Sequence, residues 1–317
     1  MTLDPYSHDP ARWGASLAQS AELLLSCLDA AGARSVVEVG AFAGDLTRVL
    51  VSWAAEHDAT VTAVDPAPQP DLEALQGIEL VRRTSLDALP EIALPDAVII
   101  DGDHNYFTVR EELRLIGERA PGAELPLLLF HDVCWPHGRR DDYHDANSIP
   151  SEFRHPVADG KGGLFPGDAG LRRGALPYPR SADQEGGSRN GVLTAVEDFV
   201  AERERLRLVV VPVFFGVGAV WHLDAPWSDA MSALLDPWDR NAVLGRLEDN
   251  RVLHIAQEFV LAQRAARQEA VLRRMLESKA FAVAERLSKL RVRAGIAPAQ
   301  SVISRDEIRR ALDDEAH

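Results

Sequence analysis

The chain has 317 residues, of which 46% are hydrophobic and 26% charged, a composition typical of a folded globular protein with a sizeable core. Its length fits one catalytic domain with an additional segment. The formal net charge of −15 argues against nucleic acid as a partner, because affinity for a phosphate backbone depends on clustered Lys and Arg.

Three sequence features that the chain lacks argue against further classes of protein. The two cysteines, Cys27 and Cys134, form no Cys-x-x-Cys pair, which argues against a zinc ribbon or a disulfide scaffold. The first residues, 1–5, have neither the basic nor the apolar region of a secretion signal. No apolar run approaches the roughly 20 residues of a membrane helix. We therefore expect a cytoplasmic, soluble protein with no membrane partner.

In chain order, apolar residues at helical spacing predict a first helix over 15–31, ending near Gly32. Continuously apolar runs that alternate with helices follow, which is typical of buried parallel strands in βαβ units. The predicted strands are 35–39, 60–64, 78–82, 97–100 and 125–130, and the predicted helices between them include 45–55 and 106–119. A helix over 191–206 and two strands, 208–215 and 219–223, joined by a tight turn, complete the pattern. The predicted fold is α/β: a Rossmann-like, seven-stranded, mostly parallel sheet with an antiparallel hairpin strand.

Two segments interrupt or follow this pattern. Residues 133–191 are rich in Gly, Pro, Arg, Asp and His without a clear period, and we interpret them as a substrate lid inserted into a domain that spans 1–225. The alternative is a surface loop whose charges pair with one another. Residues 226–317 read as a helical extension, with a helix over 240–293 and an Arg- and Lys-rich polar face. This extension is either a solvated amphipathic helix or an arm that forms a homo-oligomer.

The segment 38–44, Glu-Val-Gly-Ala-Phe-Ala-Gly, lies between the first predicted strand and a helix. Gly40 allows a tight turn after the strand, and Gly44 allows the helix to approach a ligand closely. The dinucleotide fingerprint G-x-G-x-x-G fails, because Phe42 and Asp45 stand where its second and third glycines would be. An acid at the helix start favours a cofactor with an amino acid and a sulfonium over one with a pyrophosphate.

Asp65 follows the second predicted strand, about 20 residues after Gly44, where an acid can accept both ribose hydroxyls of a nucleotide. The alternative is that Asp65 only begins a turn before Pro66. The loop and the acid together predict a nucleoside-containing cofactor better than either does alone.

Titratable side chains follow two neighbouring predicted strands. Asp101, Asp103 and His104 follow the fourth strand, and His131 and Asp132 follow the fifth. Because ligands of an open parallel sheet bind at the carboxyl ends of its strands, these side chains should converge beside the cofactor. Asp103 is instead expected to cap the helix that starts near Tyr106.

Two chemistries suit this cluster. In the first, Asp101, Asp132 and His131 hold a divalent cation, Mg²⁺ or another, that lowers the pKa of a substrate hydroxyl. In the second, a histidine acts alone as general base, and His131, His104 and His144 are the candidates beside Asp132. For His104 the alternative is a structural hydrogen bond that orders its loop.

These motifs resemble class I S-adenosylmethionine-dependent methyltransferases: E-x-G-x-x-x-G at 38–44, the acid Asp65, Ser85-Leu86 and I-I-D-G-D-H at 99–104. Among these the chain looks most like the branch of macrocin-type sugar O-methyltransferases and cephalosporin-hydroxylase-like proteins, with I-D-G-D-H after strand four and H-D after strand five. The resemblance covers about 30–225. It implies that the cofactor contacts Glu38, Gly40, Ala41, Phe42, Gly44, Asp65, Pro66, Ser85, Leu86, Asp101, Gly102 and His104.

Members of this branch commonly bind magnesium through the Asp after strand four and an acidic pair after strand five, positions that Asp101 and Asp132 match. His131 stands where an acid often does, which favours softer metals. The sequence thus predicts an S-adenosylmethionine-dependent O-methyltransferase acting on a hydroxyl of a small polar molecule, a sugar or a glycosylated natural product. The alternative is a cofactor-binding relative that does not methylate and has a regulatory, structural or different catalytic role.

Overall fold

The computed structural model describes residues 16–298 and 304–313. The chain divides into two compact units, Met1–Ala256 and Gln257–His317. The segment 1–5, which was searched for a secretion signal, lies outside the described residues, as does residue 15, the predicted start of the first helix.

The first unit contains a seven-stranded sheet of order β3-β2-β1-β4-β5-β7-β6. Its first five strands pair in parallel, and β7 is antiparallel to both β5 and β6. The strands are β1 (Ser35–Val39), β2 (Thr60–Val64), β3 (Glu79–Val81), β4 (Ala97–Ile100), β5 (Leu127–Phe130), β6 (Leu206–Val211) and β7 (Val217–His222). The predicted Rossmann-like fold with an antiparallel hairpin strand is confirmed.

Helices cover both faces of this sheet, and adjacent residues of one strand therefore enter different cores. In β4, Ile99 packs with the helices over 21–31, 45–57 and 228–235, whereas Val98 packs with those over 106–119 and 192–201. Burial on both faces explains why the strands read as continuous apolar runs rather than alternating ones. The helices of this unit are α1 (Ala21–Ala31), α2 (Asp45–His57), α3 (Pro70–Glu73), α4 (Ser85–Ala88), α5 (Tyr106–Arg119), α6 (Val192–Ala201), α7 (Ser228–Leu235) and the start of α8 (Ala242–Glu277).

Several boundaries differ from the predicted ones for local reasons. The hairpin turn spans 212–216 rather than 216–218. The strand β6 ends at Val211 because Pro212 has no amide hydrogen to donate to the sheet, and Phe214 and Phe215 lie in the turn with left-handed backbone. The predicted helix over 240–293 is two helices, α8 and α9 (Lys279–Arg293), because extended Ser278 caps α9 by accepting from the Phe281 amide. The start of α8 packs in the first unit, where Val252, Ile255 and Ala256 are buried.

The second unit holds the end of α8, α9 and α10 (Arg305–Asp313). Large apolar side chains of α9 are exposed there, including Val283, Leu287 and Leu290. An oligomerisation role for this extension stays a prediction. None of the described helices combines the length and the apolar character needed to cross a membrane.

Candidate active site

The glycine loop lies where β1 meets β4, at the point where the strand order reverses. Gly40 has φ +86°, and a Cβ added there would lie 2.2 Å from the carbonyl oxygen of Asp101. Gly44 has φ +79° and is the residue before α2. Only glycine at position 40 lets the ends of the two strands approach this closely, and the approach leaves the crevice free of side chains at that point.

Asp65 ties the end of β2 to this loop. One carboxylate oxygen accepts from the Phe42 amide at 2.8 Å and the other from the Ala67 amide at 2.7 Å. The bond to Ala67 is the turn that the sequence offered as the alternative role. The bond to Phe42 shows a second role, because it holds the glycine loop in its left-handed conformation, where Phe42 has φ +44°.

Glu38 lies buried at the end of β1, and its Oε2 has no hydrogen-bond partner among the described residues. Burial raises the pKa of Glu38 to about 8, the nearby Thr47 hydroxyl opposes this effect, and the charges of Asp101 and Asp65 add to it. A buried polar atom without a protein partner is rare in folded proteins, and this oxygen is available to accept from a ligand.

The remaining predicted cofactor residues lie at the carboxyl ends of β1 to β4, as the motif requires. Among them, Ser85 is buried at the start of α4, Phe42 is 63% exposed, and Pro66 is exposed. Ala41 is buried, and Leu86 and Gly102 are partly buried.

The predicted acid and histidine cluster forms beside this loop. His131 Nδ1 lies 3.1 Å from Asp101 Oδ1, and His104 Nε2 lies 3.1 Å from Asp132 Oδ2. One ligand atom from each of Asp101, His131 and Asp132 can be chosen so that all lie within 4.8 Å of one another. This spacing can accommodate a metal ion.

Both ring nitrogens of His131 are engaged. Its Nε2 donates to the carbonyl of Phe214 at 2.8 Å, so the ring must carry a proton on that atom. Burial works against a charge on His131, but Asp101 and Asp132 raise its pKa to about 9. Burial also opposes the charge on His104, and the same two carboxylates raise its pKa to about 10.

The histidines in turn lower the pKa of Asp101, and the other carboxylate, that of Asp132, is held by unusual backbone. Burial disfavours the charge on Asp101, but His131 and His104 prevail and lower its pKa to about 2. Asp132 has left-handed backbone with φ +56°, which costs a non-glycine residue roughly 1–3 kcal/mol. Such strain is found where a structure aims a side chain for function, and here it brings the Asp132 carboxylate to His104 and His131.

Two predicted residues lie apart from the cluster. His144 is exposed, and among the described residues its ring forms no hydrogen bond or ion pair with the cluster. Its amide donates to Asp103. Asp103 does not cap α5 directly. Asn105 is the cap and accepts from the Thr108 amide, while Asp103 accepts from the Thr108 hydroxyl.

His137 also lies beside the cluster, and its position there was not among the predictions. Its ring is stacked on His104, with centroids 5.2 Å apart, and contacts the edge of Tyr178 at 5.5 Å. Its Nδ1 is buried and has no hydrogen-bond partner among the described residues. Burial lowers the pKa of His137, with His104 adding to the effect and Asp132 opposing it. The only signal in the sequence was the density of polar and aromatic residues over 135–144.

The inserted segment 133–191 is held by buried polar side chains rather than by helices or strands. Asp141 accepts from the amides of Tyr106 and Gly191 and from the hydroxyl of Tyr143. Arg140 is fully buried and donates to the carbonyls of Ala182 and Ala169, and its pKa is lowered by burial. These bonds fix the segment beside the cluster.

Comparison with known proteins identifies the segment that carries the site. Residues 37–133 match a family model described as a methyltransferase domain. This segment includes the glycine loop, Asp65 and the whole Asp101–His131–Asp132 cluster, and the match confirms the predicted enzyme class. No curated protein matches the chain in sequence.

Several solved structures of methyltransferases show a distant likeness. The S-adenosylhomocysteine-bound methyltransferase PaMTH1 of Podospora anserina is 14% identical, with 64% of this chain and 78% of that one covered and a TM-score of 0.40. Human N-acetylserotonin methyltransferase is 12% identical, covering 63% and 50%, with a TM-score of 0.35. A methyltransferase of Geobacter sulfurreducens is 13% identical, covering 67% and 82%, with a TM-score of 0.35.

Proposed function

We propose that this methyltransferase domain transfers the methyl group of S-adenosylmethionine to a hydroxyl oxygen of a small polar molecule, with a divalent cation held by Asp101, His131 and Asp132. One observation carries the proposal. A cluster with metal-ligand spacing lies at the ends of β4 and β5, next to a glycine loop at the end of β1, within the segment that matches the methyltransferase family.

The residues of the crevice fit S-adenosylmethionine. Glu38 offers a buried carboxyl oxygen without a partner for the amino acid part of the cofactor. Asp65 would bind the ribose, since each of its oxygens has a lone pair beyond the one that accepts a backbone amide. Ser85 and Leu86 would contact the adenine. The cofactor supplies a methyl group on a positively charged sulfur.

The cluster fits a cation as well. Its donor set is one imidazole nitrogen and two carboxylates, which suits metals such as Mg²⁺ or Mn²⁺ through oxygen and softer metals through nitrogen. His131 already donates its other ring N–H to a backbone carbonyl, an arrangement that histidine ligands of metals usually show. When bound, the cation would act as a Lewis acid on the acceptor hydroxyl.

His104 is the residue placed to take up the hydroxyl proton, at its Nε2. Its pKa of about 10 is due mainly to the charges of Asp132 and Asp101. Engagement of those carboxylates by a cation would lower this pKa towards the range in which a histidine accepts protons near neutral pH. The stacked ring of His137 and the edge of Tyr178 would then border the acceptor on the side of the insertion.

A sugar or a glycosylated natural product is the acceptor class that we favour. The support is the resemblance of 99–104 and of the His131-Asp132 pair to macrocin-type sugar O-methyltransferases, together with the polar residues of 135–144. A cation that keeps open coordination positions would also suit an acceptor with adjacent hydroxyls.

The test combines calorimetry with transfer of a labelled methyl group. We expect the protein to bind S-adenosylmethionine and to methylate members of a panel of sugars and glycosides in the presence of Mg²⁺ or Mn²⁺, with loss of transfer in a chelator. Asp101→Asn should reduce transfer by about 100-fold or more, and Asp224→Asn, which alters an exposed pair with Arg205, should not. Absence of cofactor binding with and without cation would overturn the proposal, and binding without transfer would favour the non-methylating alternative.

A further inference from the structure

The turn between β6 and β7 has an unusual backbone. Phe214, Phe215 and Gly216 are left-handed in succession, with φ of +47°, +69° and +97°. Residues other than glycine adopt this conformation rarely, and it persists only when the surrounding structure imposes it. The apolar sequence instead predicts that the strand continues through residue 215.

Glu248 of α8 imposes this conformation. Its Oε2 accepts from the Phe214 amide at 3.1 Å, and its Oε1 accepts from the Phe215 amide at 2.7 Å. The carboxylate is buried and is held in turn by Arg251, whose Nε donates to it at 2.7 Å. The Arg251 guanidinium lies 4.5 Å from the centre of the Phe215 ring, so it also packs against the turn.

The carbonyls of the same two residues face the active site. The Phe214 carbonyl accepts from His131 Nε2 at 2.8 Å, and the Phe215 carbonyl accepts from the Cys134 amide at 2.7 Å. The turn therefore forms hydrogen bonds with residues on both sides of Asp132, namely His131 and Cys134. The turn also packs tightly against Cys134, because a Cβ on Gly216 would lie 2.6 Å from the Cys134 sulfur.

We infer that Glu248 is a positioning residue for the active site: it holds the Phe214 carbonyl where that carbonyl fixes the Nε2–H of His131 and directs His131 Nδ1 towards Asp101 and Asp132. A ligand histidine depends on such a partner for the orientation of its ring. The inference rests on the proposed function in naming His131 as a cation ligand. It extends the site to α8, more than a hundred residues beyond the segment that matches the methyltransferase family.

The experiment compares Glu248→Ala and Glu248→Gln with the wild type. The control is Glu269→Ala, which removes an exposed Glu–Arg pair elsewhere on α8. Two quantities are measured: the exchange of the His131 Nε2 proton with water, by NMR of the histidine-labelled, metal-free protein, and the dissociation constant of Mn²⁺, by calorimetry. His131→Gln identifies the His131 signal.

We expect Glu248→Ala to speed the proton exchange by about tenfold or more and to weaken Mn²⁺ binding by about 10–100-fold. Glu248→Gln should show a smaller change of the same kind, since Gln keeps one acceptor oxygen, and Glu269→Ala should show none. A folded Glu248→Ala protein with wild-type exchange and Mn²⁺ affinity would overturn the inference. If that variant does not fold, Glu248→Gln decides by the same criteria.

The outcome is separable from the proposed function. If the wild type binds no Mn²⁺, the proposed cation site fails, and the proton exchange alone decides the role of Glu248: faster exchange in the variants supports it, and unchanged exchange overturns it.

Discussion

The sheet and the inserted segment 133–191 are held together by opposite means. Each strand of the sheet buries apolar side chains on both faces, as Val98 and Ile99 do in β4. The insertion depends on a few buried polar residues, among them Arg140, Asp141 and Asn190. An apolar core residue can be replaced by another of similar volume at little cost, whereas a buried hydrogen-bond network loses stability when one member no longer donates or accepts. The active site lies where these two regions meet.

The largest effect on stability is expected from Asp141→Ala. It leaves the buried donors of Tyr106, Gly191 and Tyr143 without their acceptor, which should destabilise the fold by about 3–5 kcal/mol. Urea unfolding measures the loss, and hydrogen exchange should show it concentrated in the insertion. The matched control is Asp168→Ala, whose exposed pair with Arg172 should be worth about 0.5 kcal/mol or less. Equal effects of the two changes would show that the buried bonds of Asp141 stabilise the insertion no more than an exposed ion pair does.

Gly40→Ala probes the sheet at the point where we propose that the cofactor binds. A Cβ there would collide with the Asp101 carbonyl, so we expect the affinity for S-adenosylmethionine to fall by about 10–100-fold, equivalent to roughly 1.4–2.7 kcal/mol. Gly122→Ala is the control, because Gly122 is also left-handed, at φ +62°, but no described atom lies within 4 Å of an added Cβ. Calorimetry should show wild-type affinity for the control. Unchanged affinity in Gly40→Ala would place the cofactor elsewhere.

The smallest expected effect is the dependence of stability on pH in the metal-free protein. The pKa values of His131 and His104 are raised to about 9 and 10, above the value of about 6.5 in an unfolded chain. Their stabilisation is therefore complete below about pH 6.5 and is lost as the pH rises through 9 and 10. We expect the melting temperature of the wild type to fall by a few degrees more over this interval than that of a His104→Gln, His131→Gln protein. Parallel curves for the two proteins would refute the ion pairs.

The sheet was predictable because its strands are short, continuously apolar runs that alternate with helices along the chain. The apolar runs at 97–100 and 60–64 are strands at those bounds, and the glycines at 40 and 44 mark the turn that the chain must make. The conformation of the hairpin turn was not predictable, because the left-handed Phe214 and Phe215 are held in position by a contact with Glu248, which lies over thirty residues away in sequence. No local pattern records such a contact.

Some residues of the candidate site were likewise predictable from the sequence, and others were not. Asp101, His131 and Asp132 could be brought together from the sequence, because parallel strands end at one edge of a sheet. The positions of His137 and His144 could not, since both lie in a segment without a period. One is buried against His104 and the other is exposed, and only the tertiary contacts of the insertion decide between them.

The central claim is that the methyltransferase domain joins a cofactor crevice at Gly40 to a cation site at Asp101, His131 and Asp132. The most direct measurement is a crystal structure with S-adenosylhomocysteine and Mn²⁺, recorded with anomalous scattering from manganese. We predict cofactor density along the glycine loop and an anomalous peak within bonding distance of all three side chains. Cofactor density without such a peak, at a Mn²⁺ concentration that supports methyl transfer, would contradict the claim.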